Sequence, residues 1–260
     1  ILEIFRQNGN YCIRDLRTRS MSNHKNADAY SRLVGRCSGF GGSYNPAHSH
    51  LQLKAMRALL EKAQSSLQDV SLKKNAYKSV SNEREIEFGK IGKLASRIVY
   101  NLRAARYPEQ VVADALYFSR IIRGVRATKR APIPSVEASE KPLRARSYTQ
   151  QSYVAKADHF TKLVTMVSEL PGYNSNAEEL KLEALQARAA KLEALNKAVP
   201  KARSGWIHAR LNRNEVMYLG ANSLLKSATA VKQYLREAFG SNSEQAKALS
   251  DISLTKPGNL

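Results

Sequence analysis

His48-Ser49-His50 is the one place in this chain where two imidazoles stand close enough in sequence to share a metal ion. Zinc needs three or four protein ligands, and no acid or thiol lies at helical spacing beside the pair. Ser38-Gly39-Phe40-Gly41-Gly42-Ser43 has the glycines of a phosphate-cradling loop. It lacks the strand before it and the Gly-Lys-Ser or Gly-Lys-Thr that would complete such a loop, so it reads as a helix-helix turn. No serine, histidine and acid stand in the local context of a nucleophile. Glu83, Glu85 and Glu87 sit near Arg84 and Lys90, and Glu179 and Glu183 near Lys181; these read as solvated faces with weak helical ion pairs. Cys12 and Cys37 form neither a disulfide framework nor a zinc spacing. The expectation is a non-enzymatic protein with no catalytic, metal or cofactor-binding residues.

The elements that would position any site are written twice. Ala27-Asp28 and Leu33-Val34 match Ala157-Asp158 and Leu163-Val164. Tyr44-Asn45 matches Tyr173-Asn174, and Leu51, Leu53, Ala55, Ala58, Lys62 and Val70 match Leu180, Leu182, Ala184, Ala187, Lys191 and Val199. Later, Leu102-Arg103 matches Leu235-Arg236, and Leu116 matches Leu249. A repeated supersecondary unit argues for a repeat architecture. The apolar spacing in both copies is helical. Leu53, Met56, Leu60, Ala63, Leu67, Val70 and Tyr77 form a heptad seam, as do Leu182, Leu185, Ala189, Leu192, Val199 and Trp206. The expected fold class is therefore all-α: two tandem helical-bundle repeats, each with one long heptad-patterned helix. Gly89 and Gly92 should end the first long helix, and Pro200 marks a break or kink in the second. Matched positions such as Leu53 with Leu182 and Tyr77 with Trp206 should be buried. Arg84 and Arg213 recur late in the two helices; pairing with an acid of another helix is expected, with anion binding as the alternative.

The domain organisation that follows is an N-terminal arm at 1–22, repeat 1 at 23–124, a basic proline-containing linker at 125–150 and repeat 2 at 151–256. No apolar run approaches the roughly 18 to 20 residues of a membrane span, and no secretory signal is visible, so the cytoplasm is the expected location. The arm carries Ile1, Ile4, Phe5 and Tyr11, too apolar for a freely solvated tail, and should pack on a neighbouring subunit. Tyr44 and Tyr173 hold equivalent turn positions, where each ring packs its turn onto the bundle with a wet hydroxyl or else offers an assembly contact displayed twice per chain. These six residues are the candidate assembly contacts of a self-associating structural protein, a homo-oligomer or filament.

Charge gives the alternative. Lys and Arg number 42 against 22 acids, a net charge of +20. Residues 1–130 carry 24 basic and 10 acidic residues, and 131–260 carry 18 and 12. Such a surplus attracts polyanions. Arg120, Arg123, Arg126, Lys129, Arg130, Arg144 and Arg146 are the candidate contacts of a sequence-nonspecific nucleic-acid-binding protein.

Ser43-Tyr44-Asn45-Pro46, the Leu-x-Leu-x-Ala helix after it, and Val231-Lys232-Gln233-Tyr234-Leu235 with Phe239-Gly240 resemble a group of two-repeat helical proteins of Bacteroidota. The resemblance covers about residues 23–255. It implies an all-helical, non-secreted protein and carries no activity.

Overall fold

A computed structural model describes residues 3–7, 10–14, 16–125 and 151–257, with side-chain surroundings from residue 23 onward. From residue 16 onward the described elements are all helical. Strands β1 (Glu3–Gln7) and β2 (Asn10–Arg14) form an antiparallel hairpin in which Ile4 pairs with Ile13 and Phe5 with Cys12. This short sheet is an exception to the all-α expectation. Helix α1 (Leu16–Gly39) then begins inside the segment expected as an arm, so residues 16–22 belong to the first helix.

Helix α2 (Leu53–Ala104) runs without interruption through Gly89 and Gly92. The expected turn there does not form. Each glycine costs about 0.5–1 kcal/mol relative to alanine, but Ile91, Leu94, Ala95, Ile98 and Leu102 on the same stretch are buried, and that packing outweighs the local cost. Helix α3 (Glu109–Arg123) ends at Gly124, whose φ of 71° closes the C-terminus and whose Cβ, if present, would strike the Gln151 side chain at 2.9 Å. Gln151 donates from Nε2 to the Ile121 carbonyl at 2.7 Å. Helix α4 (Tyr153–Ser168) is capped by Ser152, whose Oγ accepts from the Ala155 amide.

Helix α5 (Leu182–Asn214) continues through Pro200. The ring sits on the exposed face, while the adjoining Leu195 and Val199 are buried. A π-helical turn, Glu215–Leu219, ends it: the Gly220 amide bonds the Glu215 carbonyl at 2.9 Å. A Cβ at Gly220 would meet that same carbonyl oxygen at 2.9 Å, so the close approach requires glycine. Helix α6 (Leu224–Phe239) and the short α7 (Glu244–Lys247) complete the chain. Among the described residues no helix is long and apolar enough to cross a membrane.

The chain divides into two compact units that cut across the sequence repeats. Unit 1 comprises residues 1–76 and 203–260, and unit 2 residues 77–202. The core of unit 1 joins Tyr30, Leu33, Cys37, Met56 and Ala63 to Met217, Leu224, Val231, Leu235 and Leu249. The core of unit 2 joins Ile91, Ile98, Leu102 and Ala115 to Phe160, Leu163, Val167, Leu185 and Leu192. Residues matched in sequence thus fall in different cores: Leu33 with Leu163, Met56 with Leu185, and Leu102 with Leu235. The sequence leaves open whether the repeats form one bundle or two; α2 and α5 each pass from one unit into the other. Each core takes the beginning of one repeat and the end of the other. The charge asymmetry disappears with it: unit 1 holds 20 basic and 9 acidic residues, unit 2 holds 22 and 13.

The heptad positions divide by depth. Met56, Ala63, Leu185 and Leu192 are fully enclosed, but Leu53, Leu182, Tyr77 and Trp206 are half-buried rather than buried as expected.

Candidate functional site

Two clefts lie at matching positions, one in each unit. In unit 1 a cleft of about 280 Å³ is lined by His50, Ala55 and Leu59 from the start of α2 and its lead-in turn, and by Ala221, Asn222, Lys226, Ser227 and Ala230 at and before the start of α6. In unit 2 a cleft of about 270 Å³ is lined by Glu179 and Arg188 from the corresponding turn and the start of α5, and by Gly89, Lys90, Ile91, Lys93, Leu94 and Arg97 of α2. His50 corresponds to Glu179, Leu59 to Arg188, Lys226 to Lys93, and Ala230 to Arg97.

The two differ in charge. Around the unit 2 cleft, Glu87 is nearly enclosed, at 7% exposure. It accepts hydrogen bonds from Lys90 at 3.1 Å and from Arg188, and lies 3.5 Å from Lys191. Lys191 also pairs with Glu83 at 3.0 Å, and Arg97 pairs with Glu179. Burial by itself would raise the Glu87 carboxyl. The Lys90 hydrogen bond and the charges of Arg188 and Lys191 outweigh it and hold the group below its ordinary value. The hydrogen bond from Lys191 to Glu83 raises the Lys191 ammonium, with Glu87 adding to the effect. Lys93 is in no ion pair among the described residues. The position of Glu87 in unit 1 is taken by Val216, a core residue.

The sequence singled out Glu87 but gave it neighbours on its own helix. Lys90 is such a neighbour and does bond it, but two further partners, Arg188 and Lys191, come from α5, about a hundred positions away. The legible signal was a carboxylate at a repeat position whose counterpart is valine.

The other candidates fall in several places. His48 and His50 hold their ring centroids 5.7 Å apart on an exposed turn, and no group of three or more metal-ligating side chains occurs among the described residues. Tyr44 is buried in the unit 1 core; its hydroxyl donates to the Leu51 carbonyl at 2.8 Å and its ring meets Tyr234 edge-on at 5.5 Å. Tyr173 makes the same bond in unit 2, to the Leu180 carbonyl at 3.0 Å. Both tyrosines hold their own turns together, which takes Tyr44 off any assembly surface. Arg84 lies over the Tyr153 ring at 4.1 Å, a ring where an acid was expected, and Arg213 donates to Asn214 Oδ1 among its contacts. Ile4, Phe5 and Tyr11 lie in the hairpin strands, and Ile1 lies outside the described residues. Of the basic candidates, Arg120 and Arg123 are exposed on the last turn of α3. Arg126, Lys129, Arg130, Arg144 and Arg146 lie outside the described residues.

No protein-family model, curated protein or solved structure matches this chain.

Proposed function

We propose that the chain is a non-enzymatic helical protein that binds a polyanion, nucleic acid above all, through its basic surface. The observation that carries the reading is the cationic character of both compact units, combined with the gathering of Lys90, Lys93, Arg97 and Arg188 around one cleft. Contacts of this kind position phosphates without reading base sequence. Neutralising phosphates releases counterions, so affinity falls linearly with salt on logarithmic axes. Fluorescence anisotropy with duplex and single-stranded DNA and RNA tests it. Binding at about 50 mM salt that weakens steeply toward 200 mM is expected, and no binding to any of the four removes the reading.

Self-association is the second reading. Leu72, Ile86 and Tyr100 stand at intervals of fourteen residues on α2 and are 59%, 59% and 65% exposed. Ala58, Ser65 and Ser79 share the row and are exposed as well. Leu72 and Ile86, with the small Ser79 between them, suit the close approach of another helix, while Lys93 interrupts the row before Tyr100. Light scattering across concentrations tests this, and a monomer at high micromolar protein ends it.

A further inference from the structure

We propose that the unit 2 cleft is a binding site for a terminal phosphate monoester, an inference that rests on the polyanion reading and gives it an address. Five cations, Lys90, Lys93, Arg97, Arg188 and Lys191, meet three carboxylates, Glu83, Glu87 and Glu179. Two positive charges remain, matching a phosphate monoester in its dianionic form. Lys93 has no ion-pair partner among the described residues, and it stands one turn from Arg97 on the same face of α2. Arg97 and Arg188 bring planar guanidinium groups, which can hydrogen-bond a phosphate through two nitrogens at once. Their carboxylate partners hold both forks at the cleft before any ligand arrives.

The cleft also has an apolar floor. Ile91 and Leu94 line it and are buried, so the charges act beside a low-dielectric wall, where they attract an anion more strongly than in open water. The cavity of about 270 Å³ leaves room for the group attached to the phosphate.

The twin cleft supplies the independent observation. It has nearly the same volume at the matching place in unit 1, but Leu59 stands for Arg188 and Ala230 for Arg97. Building the cleft therefore does not require the arginines. Enclosing Glu87 beside the partly buried Arg188 around one copy costs desolvation that the other copy avoids, and an anionic ligand drawn to the exposed Lys93 and Arg97 beside them accounts for the difference.

The same chemistry has two sources, a free nucleotide and the phosphorylated end of a strand, and the test separates them. Binding of 5′-phosphorylated and 5′-hydroxyl octanucleotides of one sequence is measured by anisotropy, with inorganic phosphate and AMP as competitors. The phosphorylated strand should bind about tenfold more tightly, the effect of a charge-assisted hydrogen-bond set. Lys93→Ala with Arg97→Ala, both exposed positions, should abolish that preference, while Lys226→Ala in the twin cleft should leave it. Competition by AMP at concentrations comparable with the strand assigns the site to free nucleotide; a strand that resists AMP assigns it to strand ends. Equal binding of the two strands, or a preference that survives the double substitution in a protein of unchanged circular dichroism, overturns the site and leaves the polyanion reading standing. Absence of binding to either strand removes both.

Discussion

Asn26 pairs with Thr255 as one strand pairs with another. Its Nδ2 donates to the Thr255 carbonyl at 2.8 Å, and its Oδ1 accepts from the Thr255 amide at 3.1 Å. The same Nδ2 reaches the Tyr218 hydroxyl at 2.9 Å, and that hydroxyl donates to Asn23 Oδ1 at 2.6 Å. Asn23, Asn26 and Tyr218 are all buried. Two asparagines on α1 thereby tie the π-turn and the C-terminal segment to the first helix within unit 1. Asn26→Ala would leave the backbone groups of Thr255 without partners, at a cost of about 2 kcal/mol. Thermal melting should fall accordingly. Hydrogen exchange at the Thr255 amide should accelerate, while amides of α4 in unit 2 keep their rates.

Glu87 gives unit 2 an acid-sensitive joint. Its carboxyl is held below the ordinary value in the folded chain, so the unfolded chain binds more protons in the window between the two values. Stability contributed by this group is complete above the unfolded carboxylate pKa, near 4.3. It is lost as pH falls through the lower folded value. Glu87→Gln removes the negative charge facing Lys90, Arg188 and Lys191. A fully buried pair broken in this way loses roughly 3 to 5 kcal/mol, but these partners reach solvent, so about 1 to 2 kcal/mol at neutral pH is expected once screening is counted. Denaturant melts between pH 7 and pH 3 should show the difference between wild type and Glu87→Gln shrinking as the wild-type carboxylate takes up its proton.

The apolar periodicity made the helices legible, and the matched residues made the duplication legible. Leu33 and Leu163, or Met56 and Leu185, are indeed enclosed. The partner of each helix was not legible, because Leu33 carries the same pattern whether it packs on its own repeat or on Leu224 and Val231 of the other. The glycines misled for a related reason: local propensity at Gly89 and Gly92 is weaker than the burial of Ile91 and Ile98 around them. In the candidate site, Lys90 and Glu87 were visible as neighbours along one helix. Arg188 and Lys191 joined them only through the fold. Asn23 and Asn26 gave no signal, since a buried asparagine is defined by the distant groups it bonds.

The Leu72–Ile86 row distinguishes two ways for α2 to meet a second copy. In an antiparallel pairing centred on Ser79, Leu72 of one chain faces Ile86 of the other, because both lie seven residues from the centre. In a parallel pairing in register, each faces itself. Leu72→Asp or Ile86→Lys alone should weaken self-association by roughly a hundredfold, because each of the two copies loses one buried apolar side chain. Combined, the two should restore association if the helices run antiparallel and deepen the defect if they run parallel. Sedimentation equilibrium of the three variants decides between the arrangements, and unchanged association in both single variants removes this face from the contact.

Because each core draws on both sequence repeats, neither repeat should fold alone. Fragment 1–125 keeps Tyr30, Leu33 and Met56 but lacks Met217, Leu224, Val231 and Leu235, against which they are buried in unit 1. It also keeps Ile91, Ile98 and Leu102 without Phe160, Leu163 and Leu185, their companions in unit 2. Fragment 151–260 has the complementary deficits. Each missing contact exposes side chains whose burial is worth roughly 1.5 to 3 kcal/mol apiece, and a domain's whole stability is of the order of 5 to 15 kcal/mol. Each fragment alone should therefore show reduced helicity and no cooperative thermal transition. Mixed in equal amounts they should recover both, with a midpoint that rises with concentration because association is then part of folding. A fragment that melts cooperatively on its own, at a midpoint independent of concentration, would mean that one repeat does close a core by itself and that the exchange of halves between the two units is not what holds the chain together.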